Sequence, residues 1–116
     1  EGCDGYADGG QVRDFIYVDD AVGVNLWFLD NPDMSGVFNC GTGRAEPFNE
    51  IASAVIKFFH QGSVEYIAFP DTLAGRYQSY TQADMRKMRG VGCKKRFRSV
   101  SEGMNAYMQW LCQNAP

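Results

Sequence analysis

Several kinds of chemistry find no residues in this chain to carry them. There is one histidine, His60, and the four cysteines, Cys3, Cys40, Cys93 and Cys112, are scattered with no C-x-x-C pair. The ligand spacing of a zinc site is therefore missing, and no metal ligands are assigned. No apolar run approaches the roughly 18 residues that a membrane span requires, and no signal or transit peptide is recognisable. No membrane association is expected. Basic residues are in the minority, 11 Lys and Arg against 14 Asp and Glu, for a formal charge of −3. A nucleic-acid surface normally needs a basic stripe, so the cluster from Arg86-Lys87 to Arg98 reads as a solvated face and no nucleic-acid partner is expected. The chain also lacks a Tyr-x-x-x-Lys pair, a Ser-His-Asp order and a complete glycine fingerprint. By itself it carries no identifiable catalytic apparatus.

What is present is an ordinary globular composition, 45% hydrophobic and 22% charged over 116 residues, enough for one core and too apolar for intrinsic disorder. Reduced cysteines suit a cytoplasmic protein. The absence of an initial methionine is read as a sign that sequence precedes Glu1. The Gly- and Asp-rich stretch from Glu1 to Gln11 reads as a loop. The run Arg13-Asp14-Phe15-Ile16-Tyr17-Val18-Asp19-Asp20 then changes period: a strand over Val12–Val18 gives way to a helix over Asp19–Asp30, with Val22, Leu26 and Leu29 on one face and Asp19 or Asp20 as its N-cap. Pro32 ends that helix.

A second strand over Gly36–Cys40 and a helix over Phe48–Phe59 complete a strand-helix-strand-helix alternation, the pattern of a parallel α/β sheet. His60 at the end of that helix reads as a surface residue. Further on, the spacing predicts a strand over Val64–Phe69, a loop or short edge over Leu73–Tyr80, a short helix over Gln82–Arg89 with Asp84 near its start, and a last helix over Ser99–Gln113. Ser99 and Glu102 form a capping box for that helix, and Val100, Met104, Tyr107, Met108 and Leu111 line one of its faces. No linker or repeat divides the chain, so two lobes sharing strands are expected rather than two independent domains.

Two motifs carry candidate chemistry. Gly41-Thr42-Gly43 between a strand and a helix resembles the opening of a dinucleotide turn, but the third glycine is missing and Glu46 would repel phosphate. It reads as a plain strand-to-helix turn. Gly75-Arg76-Tyr77-Gln78 offers a guanidinium for phosphate beside an aromatic face or hydroxyl for a base or sugar. Arg13, a charge at the start of an apolar strand, either ends at the surface or meets an anion at the sheet rim. Asp14 and Glu65 have no recognisable acid/base partner.

The motifs Arg13 to Asp20, Phe38-Asn39-Cys40-Gly41-Thr42-Gly43-Arg44-Ala45, and Gly75 to Gln78 with Thr81-Gln82-Ala83-Asp84 together resemble the C-terminal part of the extended short-chain dehydrogenase/reductase family of sugar-nucleotide epimerases. Asn25-Leu26-Trp27-Phe28, Glu65-Tyr66-Ile67 and Phe69-Pro70-Asp71 are particular to its members acting on ADP-heptose. The resemblance spans Glu1 to about Gln113. It implies an α/β fold in which residues 1–116 form a C-terminal substrate-binding portion, interleaved with late Rossmann-type strand-helix units at about 12–18 and 36–60. The NADP-binding domain, and the tyrosine and lysine that drive a self-contained redox inversion of a sugar carbon through a ketone, would lie upstream. The chain alone would then be inactive, without catalytic or cofactor-binding residues of its own.

The resemblance places the nucleotide-sugar contacts on Glu1, Gly2, Cys3, Arg13 and Tyr77. Cys3 stands where the family commonly has serine, so only a backbone contact is carried over there. It also implies a homo-oligomer at full length and a place in lipopolysaccharide core precursor synthesis. Two rival readings remain: an epimerase or 4,6-dehydratase acting on another nucleotide-sugar, and a non-catalytic α/β module that binds one.

Overall fold

A computed structural model describes residues 2–73 and 75–114. Strand β1 (Val12–Arg13) is followed by α1 (Val18–Asp30), β2 (Glu46–Pro47), α2 (Phe48–Phe59), a single 3-10 turn over Asp71–Leu73, α3 (Arg86–Gly90) and α4 (Val100–Asn114). The mixed α/β character and the four α-helices stand as the sequence implies. The helix over Phe48–Phe59 has the expected bounds.

The strands are much shorter than their sequence pattern suggests. β1 pairs with β2 in antiparallel register, Val12 opposite Pro47 and Arg13 opposite Glu46, and an isolated parallel bridge joins Val12 to Tyr80. Among the described residues, 14–17, 36–40 and 64–69 form no strand. The expected strands over Val12–Val18, Gly36–Cys40 and Val64–Phe69 are corrected accordingly. The physical reason is that β-propensity reports fit to a paired, half-buried surface, and an apolar strand that lacks neighbours has nothing with which to complete its ladder. Within residues 36–40 Phe38 turns inward against the core, while Val37 is 86% exposed.

The start of α1 also differs from expectation. Tyr17, not Asp19 or Asp20, is the N-cap, and no side chain caps the helix. Asp20 instead accepts hydrogen bonds from the Arg98 backbone N–H (2.8 Å) and from Arg98 Nη1 (2.6 Å), and the Arg98 guanidinium lies 5.0 Å from the Tyr17 ring centroid. A charged partner from a distant segment outcompetes the local cap. The buried face of α1 is centred on Val24, with Trp27 and Phe28 beside it, packed against Met88, Cys93 and Phe97. Val22, Leu26 and Leu29 point outward, Leu29 being 73% exposed. A helix that is apolar on both sides is one made to be covered on both.

α2 packs on α4, whose capping box forms as expected: Ser99 Oγ accepts from the Glu102 N–H (3.2 Å), and Glu102 Oε2 accepts from the Ser99 N–H (2.8 Å). On α4, Val100 and Met108 are buried, while Tyr107 and Leu111 stay largely exposed. α3 begins later than expected, at Arg86, where Asp84 accepts from the Arg86 N–H and guanidinium. His60 closes α2 in the left-handed region (φ 54) and is exposed, a common way to end a helix. The radius of gyration is 16.8 Å, against about 13 Å for a compact domain of this length. No helix among the described residues is long and apolar enough to cross a membrane.

Candidate functional site

β1, though only two residues long, sets the site, because it fixes Arg13 between two other segments. The Val12 N–H donates to Ser79 O (2.9 Å), and Thr81 N–H donates to Val12 O (3.2 Å). This pairing brings the loop from Gly75 to Tyr80 alongside β1. As a result the Arg13 guanidinium lies 4.8 Å from the Tyr77 ring centroid, a cation–π distance. Arg13 Nη1 is buried and has no hydrogen-bond partner among the described residues. A buried donor on a cation left unpaired costs free energy, so such a group calls for an anion. Arg13 and Tyr77, expected to face the substrate, therefore come together. Arg76 does not join them: it is exposed.

The segment before β1 is anchored to the same place. Gln11 and Ser79 are buried polar residues. Gln11 Nε2 donates to Cys3 Sγ (3.3 Å), the Cys3 thiol meets Ser79 Oγ at 3.5 Å, and Ser79 Oγ donates to Asp4 Oδ2 (2.7 Å). The Gly2 N–H donates to Asp8 Oδ1 (2.9 Å). A Cβ at Gly2 would sit 2.0 Å from Tyr6 O, so only glycine lets this stretch fold back on itself. Gly2 and Cys3 thus hang from the strand that carries Arg13. Glu1, the remaining expected contact, lies outside the described residues.

The Gly41-Thr42-Gly43 turn does not cradle a phosphate. Its amides are already taken by Asp14: Thr42 N–H (2.7 Å) and Thr42 Oγ1 (2.6 Å) donate to Oδ1, and Gly43 N–H (2.9 Å) and Ala83 N–H (3.0 Å) donate to Oδ2. Burial by itself would push the Asp14 carboxyl up, but the hydrogen bonds from Thr42, Ala83 and Gly43 more than reverse this and hold it below the ordinary 3.8. Gly41 is buried against this carboxylate, where a Cβ would come within 2.6 Å of Asp14 Oδ2. Glu46 reaches across to accept from the Val100 N–H at the start of α4 (3.2 Å), where a carboxylate meets the positive end of the helix dipole. The turn is structural, since the Thr42 and Gly43 amides that dinucleotide chemistry would use are bound to Asp14.

Sequence reasoning missed Asp14 as the acceptor that ties β1, the 41–43 turn and Ala83 together, and it missed Gln11, Ser79 and Phe69 around the site. A signal for Asp14 was available: a glycine turn whose amides meet no phosphate needs an acceptor, and the residue beside Arg13 supplies it. Phe69 lies 5.4 Å from Tyr77, ring centroid to centroid, at an interplanar angle of 73°.

The family described as NAD dependent epimerase/dehydratase matches residues 2–41, the part that carries Cys3, Arg13 and α1. Over 93% of its length the chain is 55% identical to the ADP-L-glycero-D-manno-heptose-6-epimerase of Alkalilimnicola ehrlichii, of which it covers 34%. It thus spans about a third of that relative's length, and the third it matches is the C-terminal part. The site around Arg13 therefore sits in residues that match the NAD dependent epimerase/dehydratase family, within a chain similar to the C-terminal third of a heptose epimerase.

Proposed function

We propose that this chain is the substrate-binding C-terminal portion of an NADP-dependent ADP-glyceromanno-heptose 6-epimerase of the cytoplasm, which inverts the heptose C6 centre through a transient ketone on the way to the lipopolysaccharide core. The observation that carries the reading is Arg13: its buried Nη1 has no partner among the described residues and its guanidinium lies against Tyr77. A nucleoside diphosphate is an anion of the right kind to complete it, and a charge-assisted hydrogen bond to phosphate contributes roughly 1.5–3 kcal/mol.

The residues here do not form a dinucleotide cradle, since the Thr42 and Gly43 amides are bound to Asp14. NADP binding and the catalytic Tyr and Lys are accordingly assigned to sequence outside residues 1–116. What these residues do is bind and orient: Arg13 takes the phosphates, Gly2 and Cys3 meet the substrate beside them, and Tyr77 holds the guanidinium. The outward Val22, Leu26 and Leu29 on α1 and the unpaired strand-like residues 36–40 support a division in which α1 and residues 36–40 pack against the cofactor domain of the complete enzyme. We place the complete enzyme in a homo-oligomer.

The family match is broader than the heptose substrate, which keeps a second reading open, an epimerase or 4,6-dehydratase for another nucleotide-sugar. Turnover by the full-length protein of ADP-heptose against UDP- and dTDP-sugars decides between them. The reading expects C6 inversion of ADP-heptose; conversion of a UDP- or dTDP-sugar with ADP-heptose untouched would overturn it.

A further inference from the structure

We propose that Phe69 is a positioning residue for the diphosphate site, acting on Arg13 through Tyr77; this rests on the reading of Arg13 given under the proposed function. Phe69 has no charge, donor or nucleophile, so any influence it has on an anion must pass through another group. That group is Tyr77: its ring meets that of Phe69 edge to face at 73° with centroids 5.4 Å apart, and it faces the Arg13 guanidinium at 4.8 Å. Tyr77 thus touches both the half-buried Phe69 and the guanidinium that carries the buried Nη1.

Tyr77 sits just after Gly75, whose φ is +68, and its backbone is held by one hydrogen bond to Leu73 O (3.1 Å). Residues 61–70 form no helix or strand, and Tyr66 ties the segment to α2 by donating its hydroxyl to Asn49 Oδ1 (3.0 Å). The Phe69–Tyr77 contact joins this segment to Arg13, and it lies outside the core cluster of Val24, Met88, Cys93 and Phe97. Edge-to-face aromatic pairs have a defined geometry, so Phe69 restricts the rotamers of Tyr77, and Tyr77 in turn restricts a guanidinium that no hydrogen bond from the described residues restrains at Nη1. Pre-orienting a flexible donor removes an entropy cost that binding would otherwise meet.

The test is a double-mutant cycle in the full-length protein, read by calorimetry with ADP and by turnover of ADP-heptose. Phe69→Leu is expected to weaken ADP binding and raise KM by about three- to tenfold, with kcat changed less than about twofold. Phe69→Tyr, which keeps the ring, should restore the parent values. In an Arg13→Ala background Phe69→Leu should have no further effect on ADP binding, because its route to the anion has been removed. An equal loss with and without Arg13, an unchanged ADP affinity in Phe69→Leu, or no ADP binding by the parent protein would overturn the inference. If the parent binds ADP through Arg13 with the expected cycle but leaves ADP-heptose unconverted, the positioning role stands and the proposed substrate falls.

Discussion

Replacing Asp14 by asparagine should destabilise the protein sharply at neutral pH, and the effect should fade in acid. Each carboxylate oxygen accepts two hydrogen bonds, Oδ1 from the Thr42 amide and hydroxyl and Oδ2 from the Gly43 and Ala83 amides. An asparagine keeps one acceptor and turns an NH2 group toward two of these donors, whichever way it is flipped. Two bonds to a charged acceptor are lost, worth roughly 1.5–3 kcal/mol each when fully buried. Asp14 is only partly buried, and water can reach the freed donors, so about 2–4 kcal/mol is expected. At a urea dependence of about 2 kcal/mol per molar, that lowers the unfolding midpoint by about 1–2 M. The sign of the pH dependence follows from the lowered folded pKa. The contribution is fully present above the ordinary 3.8 and is lost as pH falls through the lower folded value, so the gap between parent and variant should start to narrow as pH falls below 3.8. Urea denaturation followed by tryptophan fluorescence at pH 7 and pH 3 measures both. An unchanged midpoint at pH 7, or a gap that persists undiminished in acid, would refute this account of Asp14.

Three further outcomes follow from the packing. Asp20→Ala should cost about 1–3 kcal/mol, because the carboxylate is 10% exposed and holds both the backbone and the guanidinium of Arg98; a thermal shift no larger than that of a surface mutant would count against it. Glu102→Ala removes half of the capping box and should lower Tm with no change in ADP affinity. Leu26→Ser should leave the stability of the 116-residue piece within about 0.5 kcal/mol, yet cost about 2–3 kcal/mol in the full-length protein, where the outer face of α1 is proposed to be covered; equal losses in the two would argue against that packing.

Helices were far more legible than strands, for a reason visible in particular residues. Phe48–Phe59 and the Ser99–Glu102 box carry their bonding partners within a turn or two, so local spacing is enough to find them. A strand's partners are distant, and the segments at 14–17, 36–40 and 64–69 read as strands while having none beside them here. The α1 stripe misled in a related way. Val22, Leu26 and Leu29 have helical spacing, but periodicity cannot say which apolar face meets this core, and Val24, Trp27 and Phe28 do. Asp20 looked like a cap because a cap is the nearest use of a carboxylate, and Arg98, far along the chain, took it instead. At the site, Arg13 and Tyr77 could be named in advance from a resemblance, whereas Asp14 takes its hydrogen bonds from Thr42, Gly43 and Ala83, many positions away.

The central claim is that Arg13 receives the diphosphate of a nucleotide-sugar, and kcat/KM of full-length Arg13→Ala on ADP-heptose tests it most directly. The account predicts a fall worth roughly 1–3 kcal/mol, about 5- to 150-fold, with the folded state retained. A kcat/KM equal to that of the parent would contradict it.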